Sequence, residues 1–416
     1  MDNDSIGQGD RRLTKLTFIH AADLHLDSPF AGMSTIPNSI FKRLKESTFQ
    51  SAKNIFDLAV ARAVDFVLLS GDLFDESNRS LKAQLFLRNQ FVRLQTHGIE
   101  VFIIYGNHDH LGGEWTPIEW PENVHVFSSS TPSEHSYYRG KQLVASIYGF
   151  SYKERAVYEN MTSHYVKTTD AAYHIAMLHG TLAGQEGHDA YAPFQLQQLL
   201  ARDFDYWALG HIHKRALLYE DPFIIYPGNV QGRHIKETGE KGCYLIHLSE
   251  DSHTADFISC ADIIFEKLAI DITETVHMTD LFTLVEGKIN ELKEEGVPHF
   301  VRIELTGDAP SYFEHTQLEV LEELLTVFHE QEEDEDVFVW VMSIDCRTNE
   351  DVIYPEDSFL KELTAEIAQF ESYEELLLPI KRHPIYRKSG KALTREDELD
   401  IKEEAQRLLT EQLKQL

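Results

Sequence analysis

The chain has 416 residues, 42% of them hydrophobic, enough for two or three domains with sizeable cores. No run approaches the roughly 18 apolar residues of a membrane span, and the first residues, "MDNDSIGQGDRRL", lack the apolar stretch of a signal peptide, which excludes a membrane-embedded protein and points to the cytoplasm. The net charge of −31 disfavours nonspecific nucleic-acid binding by the chain as a whole, yet it is unevenly spread: residues 301–416 hold 29 acidic and 12 basic side chains, the first 300 hold 40 and 26.

Residues 1–12 are polar and are expected to be a disordered N-terminus. From there to about residue 250 one arrangement repeats: a short apolar run stops abruptly in Gly, Asp, Asn or His. The runs are "LTFIHAADLH" (16–25), "FVLLSGDLFD" (66–75), "VFIIYGNHD" (101–109), "VASIYGFSY" (144–152), "HIAMLHGT" (174–181), "YWALGHIHK" (206–214) and "FIIYPGN" (223–229). Uninterrupted apolar runs of this length suit strands covered on both faces. Helical patterns fill the gaps, with Ile40, Leu44, Ile55, Leu58 and Ala59 in 38–63, and Leu81, Leu85, Phe91 and Leu94 in 80–97 before the stop signal Gly98. Beyond residue 262 the order β-α-β-α-β is expected from 263–272, 278–295, 300–307, 314–330 and 337–346, a small α+β unit without a metal motif. After Pro355 the chain turns helical: Leu360, Leu363, Ile367 and Phe370 step by three and four, as do Ile401, Ala405 and Leu408. Between these stretches lies a basic segment with Lys381, Arg382, Arg387, Lys388 and Lys391.

In a layered α/β protein, ligands collect beyond the carboxyl ends of the strands, so the polar endings are expected along one rim. Asp23 with His25, Asp72, Asn107, His179, and His211 with His213 then supply carboxylate, amide and imidazole donors in numbers suited to two divalent cations. Without thiolates among them, Mn, Fe or Zn is favoured over Ca. The cysteines, Cys243, Cys260 and Cys346, are odd in number and lie far apart in sequence, so neither disulfides nor a thiolate zinc site is expected. His20 is expected as a hydrogen-bonded core histidine and His110 as a solvent-facing loop residue. Arg233, in the glycine-rich "YPGNVQGRH", is a candidate for substrate phosphate contact.

The ordered set "DLH", "GDLFD", "GNHD", "LHGT" and "GHIH" resembles the calcineurin-like metallophosphoesterases, over roughly residues 15–250. Within them the chain is most similar to the DNA repair exonucleases, the nuclease subunit of the bacterial SbcCD complex, and especially to the YhaO branch, through "HAADLHLDSPF", "YPGNVQGRH" and the additional segments downstream. The resemblance implies an α/β fold of two sheets flanked by helices, with a nuclease domain over 13–260, an α+β capping domain over 261–352 and a C-terminal helical segment over 353–416 that docks on an ATPase. It implies one metal between Asp23, His25, Asp72 and His213, and a second between Asp72, Asn107, His179 and His211, with Asp72 bridging. Mn comes first, with Fe or Zn as alternatives. His108 would stand beside the metals and protonate the leaving oxygen, oriented by Asp109 through its second nitrogen. Some relatives carry a second histidine at the place of Asp75, so that role does not transfer, and Asp75 is expected as a loop or supporting residue. The implied function is hydrolysis of DNA phosphodiester bonds by a water activated by two metals. The implied partners are DNA and an SMC-like coiled-coil ATPase; a homodimer is compatible with this, and no membrane partner is expected. Two other readings stay open: a phosphomonoesterase or cyclic-nucleotide phosphodiesterase on the same core, and an inactive binding or scaffold subunit.

Overall fold

Every apolar run that ends in a polar motif is a strand in the computed structural model, which describes residues 15–30, 33, 36–75, 79–184, 190–308, 310, 312, 317–332 and 335–346. β1 (Leu16–Ala21), β2 (Phe66–Ser70), β3 (Glu100–Ile104) and β4 (Val124–Val126) run parallel, and β11 (Gly242–Leu248) and β12 (His253–Ser259) extend them antiparallel in the order β12-β11-β1-β2-β3-β4. A second sheet has the order β5-β6-β7-β8-β10-β9, from β5 (Ser133–Arg139), β6 (Gln142–Gly149), β7 (Tyr173–His179), β8 (Tyr206–Gly210), β9 (Ala216–Glu220) and β10 (Phe223–Tyr226). Its inner strands are parallel and its two edges antiparallel.

The strands of the first sheet read as continuous apolar runs because both of their faces are covered. Along β2, Val67 and Leu69 face the helical layer of α1 (Asn38–Arg62) and α2 (Leu81–Thr96), where Phe56, Ala59, Leu87 and Phe91 meet them. Phe66 and Leu68, on alternate positions, face the second sheet and pack with Ile147, Ile175 and Tyr206. Burial of each such side chain contributes about 1.5–3 kcal/mol relative to exposure. The buried positions of α2 are Ala83, Gln84, Leu87, Phe91 and Leu94, so the expected stripe holds only in its second half: Leu81 is 53% exposed and Leu85 44%. The seat on α1 and the sheet, rather than helical spacing alone, selects the buried face.

A third sheet holds β13 (Ile264–Asp271), β14 (His299–Thr306) and β15 (Val339–Cys346), all parallel. α3 (Met278–Glu294) and α4 (Gln317–Glu332) alternate with these strands, giving the expected β-α-β-α-β order. One face buries Val301, Ile303 and Val341 with Leu281, Val285 and Leu324 of the two helices. The other carries Phe265, Phe300, Phe338 and Trp340, which pack on Phe30, Met33, Ile40 and Leu44.

Cys243, Cys260 and Cys346 are free. Although distant in sequence, Cys243 and Cys260 meet near the β11–β12 pairing, with sulfurs 3.8 Å apart. His20 is a core histidine, bonded to the Tyr206 hydroxyl at 2.9 Å and to the Leu209 carbonyl at 3.0 Å. No helix among the described residues is long and apolar enough to cross a membrane. The expectations for residues 1–12 and for the segment 353–416 lie outside the described residues.

Candidate metal centre

The rim at the carboxyl ends of the parallel strands gathers the polar motifs of both sheets. Asp23 and His25 follow β1, Asp72 follows β2, and Asn107, His108 and Asp109 follow β3. His179 is the last residue of β7, and His211 and His213 follow β8. The two rims are stitched together where the His179 ring donates through Nδ1 to the Ser70 carbonyl at 2.9 Å, which turns Nε2 toward Asp72 and Asn107.

Backbone strain concentrates in these turns. Asp23 (φ 53°), His25 (φ 41°), Asp72 (φ 51°) and His211 (φ 99°) all adopt positive φ, a costly conformation for residues with a Cβ and one that persists when surrounding structure over-determines it. The lacing is visible in the Asp23 and His25 amides, which donate to the Gly71 and Asp72 carbonyls at 3.1 and 3.0 Å. Gly106 is required for a different reason: a Cβ there would lie 2.4 Å from Asp72 Oδ1 and 2.5 Å from His179 Nε2. The backbone of the β3 turn therefore passes directly against the centre.

The donor atoms fall into overlapping groups. Asp23, His25 and His213 bring one ligand atom each to within 4.8 Å of one another, as do Asp72, His179 and His211, while His25, Asp72 and His108 link the two. His25 Nε2 and His213 Nε2 face each other at 3.0 Å. On the other side Asn107 Oδ1 lies 3.0 Å from His179 Nε2 and 3.1 Å from His211 Nδ1. Asp72 stands between: Oδ2 is 3.4 Å from His179 Nε2 and 3.9 Å from His25 Nε2, and Oδ1 accepts the His108 amide at 2.9 Å.

The electrostatics fit cations. Asp23 and Asp72 are both 1% exposed, and buried carboxylates need positive charge beside them. Burial pushes the Asp23 carboxyl well above the usual range, with the Asp72 charge adding to the rise. Burial would also raise Asp72, but His179 and His108 hold it well below that range. Burial, reinforced by Arg233, pushes His25 down to about 3, so its imidazole is neutral and its lone pair available. Four imidazoles, an amide oxygen and two carboxylates, without thiolate, form a donor set for two borderline or hard divalent ions.

His108 sits at the edge of the group, its ring 4.9 Å from that of His25. Its Nδ1 is 2.5 Å from the Asp75 carbonyl, an acceptor only, so Nδ1 carries the proton and Nε2 is the nitrogen left for chemistry. The expected contact between Asp109 and the His108 ring is replaced by another. Asp109 is fully buried and its carboxylate accepts the Gly106 and Leu73 amides, each at 2.7 Å, bracing two of the turns. The ordinary rule that a carboxylate orients a working imidazole loses here to the demand of two buried amides for an acceptor. His110, expected in solvent, is partly buried.

Arg233 reaches the site, with Nη1 2.5 Å from Asp75 Oδ1 and its side chain 15% exposed. Two residues had no sequence signal. Glu237 accepts from His213 Nδ1 at 2.7 Å, and its other oxygen takes the Asn229 side-chain amide at 2.8 Å and the Arg233 amide at 2.7 Å. Arg79, buried under the β3 turn, stacks on Tyr105 and Trp115 and donates to the Asp109 carbonyl. One of two glutamates in "KETGEKG" and an arginine in "ESNRS" carry no spacing that would mark them.

Residues 16–215 match the calcineurin-like phosphoesterase family model. The chain is 52% identical over 406 residues to the uncharacterized metallophosphoesterase YhaO of Bacillus subtilis, covering 97% of this chain and 99% of that one. More distantly, it is 27% identical over 278 residues to the DNA double-strand break repair protein Mre11 of Methanocaldococcus jannaschii, covering 63% and 69% of the two chains. Identity to the Mre11 of Sulfolobus acidocaldarius is 23% over 309 residues, covering 71% and 76%.

Proposed function

The chain belongs to the calcineurin-like metallophosphoesterases, metal-dependent hydrolases, and from that premise we propose that it cleaves DNA phosphodiester bonds as the nuclease partner of an SMC-like ATPase. The observation that carries hydrolysis is the position of Asp72 between two donor groups with His108 held beside them. The choice of DNA rests on the likeness to relatives named for DNA double-strand break repair, and the ATPase on the family resemblance of the C-terminal segment.

Asp23, His25, Asp72 and His213 would hold one divalent ion, and Asp72, Asn107, His179 and His211 the other, with Mn the favoured metal. Such a pair supplies Lewis acidity toward the phosphoryl group and a nucleophile near neutral pH. The residues contribute position and protons. His179 and His211 fix the second site from β7 and β8, and His108, with Nδ1 pinned, offers Nε2 to the leaving oxygen.

Cation binding is expected to depend on pH with a defined sign. In the cation-free chain burial pulls the His179 imidazole down, but Asp72 outweighs it and raises the group to about 9. Below that pH an ion must displace the proton, so affinity falls as pH drops and levels off above about 9, and the raised Asp23 contributes a proton in the same direction. Titration calorimetry in buffers of different ionisation enthalpy should show protons released; equal affinity at about pH 6 and pH 8 would contradict it.

For the substrate, the full-length protein with added Mn is compared on linear duplex DNA, a chromogenic phosphodiester and cyclic nucleotides at modest ionic strength. Shortening or nicking of DNA is expected, weak because the chain carries net negative charge, and lost steeply on added salt because the phosphates would be held by a few basic side chains that displace counterions. Rapid hydrolysis of the small esters with DNA left intact would replace the nuclease reading by the small-molecule one.

A further inference from the structure

We infer that Arg233 is a positioning residue that clamps two carboxylates, Asp75 and Glu237, each of which orients one histidine of the same ion site. The inference rests on the two-ion hydrolase reading above and adds to it the means by which one half of the centre is held.

The geometry is a chain of contacts between loops far apart in sequence. Arg233 Nη1 lies 2.5 Å from Asp75 Oδ1, and Nη2 lies 3.9 Å from Glu237 Oε1. Asp75 Oδ1 is in turn 3.4 Å from His25 Nδ1, and Glu237 Oε1 is 2.7 Å from His213 Nδ1. Each ring therefore turns its Nδ1 edge to a carboxylate and its Nε2 edge inward, where the two Nε2 atoms stand 3.0 Å apart. Rotation of either ring would part that pair; the bond from His213 Nδ1 to Glu237 resists it and increases the basicity of the inner nitrogen, and at His25 the Asp75 carboxylate, at ion-pair distance, favours the same orientation. Two carboxylates sharing a partly buried region repel each other; a guanidinium reaching both removes the repulsion and sets their spacing.

The clamp is itself anchored. Glu237 Oε2 accepts the Asn229 side-chain amide at 2.8 Å and the Arg233 backbone amide at 2.7 Å, so the carboxylate cannot swing away. The loop carrying both residues rests on the third sheet, where the Gly239 amide donates to the Phe265 carbonyl at 2.9 Å and a Cβ on Gly232 would lie 3.0 Å from the Phe265 ring. No residue of the Asp72, Asn107, His179 and His211 group contacts this clamp in the same way: His179 is held by the Ser70 carbonyl instead. The effect of the clamp should therefore be confined to one ion.

The test uses the full-length chain stripped of metal and titrated with Mn²⁺ alone, by calorimetry and by electron paramagnetic resonance. The unaltered protein should take up two ions and develop the spectrum of a coupled pair. Arg233→Met and Glu237→Gln should each weaken one of the two by about 10–100-fold and leave the other unchanged, so that at limiting Mn²⁺ the spectrum is that of a single ion. The double variant should lose no more than either single one, because the residues act as one unit. Arg233→Lys, which keeps the charge but cannot reach both carboxylates, should fall between. Should Arg233→Met fail to fold, the near-isosteric Glu237→Gln carries the same test. Wild-type affinity for both ions with a raised KM for substrate would overturn the inference and make Arg233 a substrate contact. Equal weakening of both ions would overturn it as well, in favour of a general structural role. An unaltered chain that binds no Mn²⁺ would instead overturn the hydrolase reading on which the inference rests.

Discussion

Asp72→Asn is expected to reduce hydrolysis to background and to leave the chain unable to hold a pair of ions. The substitution preserves size, and an amide oxygen could still accept the His108 amide that Asp72 Oδ1 takes at 2.9 Å. What it replaces is the other oxygen, 3.4 Å from His179 Nε2 and 3.9 Å from His25 Nε2, by an amide NH₂ whose hydrogens point where cations would lie. It also removes a buried negative charge, so the attraction that draws divalent ions into a water-poor site is roughly halved in formal carboxylate charge, from Asp23 and Asp72 to Asp23 alone. Metal content by mass spectrometry, beside a circular dichroism spectrum to establish folding, decides it. A folded Asp72→Asn chain that still carries two ions would show that Asp72 is not the shared ligand.

His108→Ala should produce the opposite pairing of outcomes: metal content unchanged and a rate lower by about 10²–10⁴, the range usual for a positioned acid or base. Its ring lies at the margin of the donor groups, partly exposed, and Nδ1 is committed to the Asp75 carbonyl, so the side chain is placed for proton transfer by Nε2. The loss should appear in kcat with KM little changed, and should shrink on substrates whose leaving group needs no proton, such as a nitrophenolate. Comparison of DNA with a chromogenic diester thus reads the role directly. A metal-free His108→Ala protein would mean that the residue is a ligand instead.

Both expectations start from motifs that stand in the sequence in plain order. An apolar run closed by "DLH", "GDLFD", "GNHD", "LHGT" or "GHIH" specifies a strand and its ending together, because a strand covered on both faces has to be apolar throughout and its turn is the first place where polar groups can reach solvent or ligand. Parallel neighbours then bring such endings to one rim without further information. For the same reason the edge strands Ser133–Arg139 and Ala216–Glu220 left little trace: partly solvated on one face, they carry mixed residues that resemble loops. The strand Gly242–Leu248 is buried and apolar, yet it ends in no motif and so did not announce a place in the sheet.

By itself, then, the sequence determined the layered α/β class, the seven strands that end in polar motifs, the β-α-β-α-β order of the last described elements, and which residue types stand at the rim. Tertiary structure alone decided which atom each of them uses. Asp75 and Arg233 are 158 positions apart and His213 and Glu237 are 24 apart, and no local pattern pairs them. Asp109 follows His108 directly but turns away from it, because the buried amides of Gly106 and Leu73 require an acceptor more than a partly exposed imidazole does. Local propensity and periodicity act over a few residues, whereas the partner of a buried polar group is chosen by whatever the converging sheets place within hydrogen-bond reach.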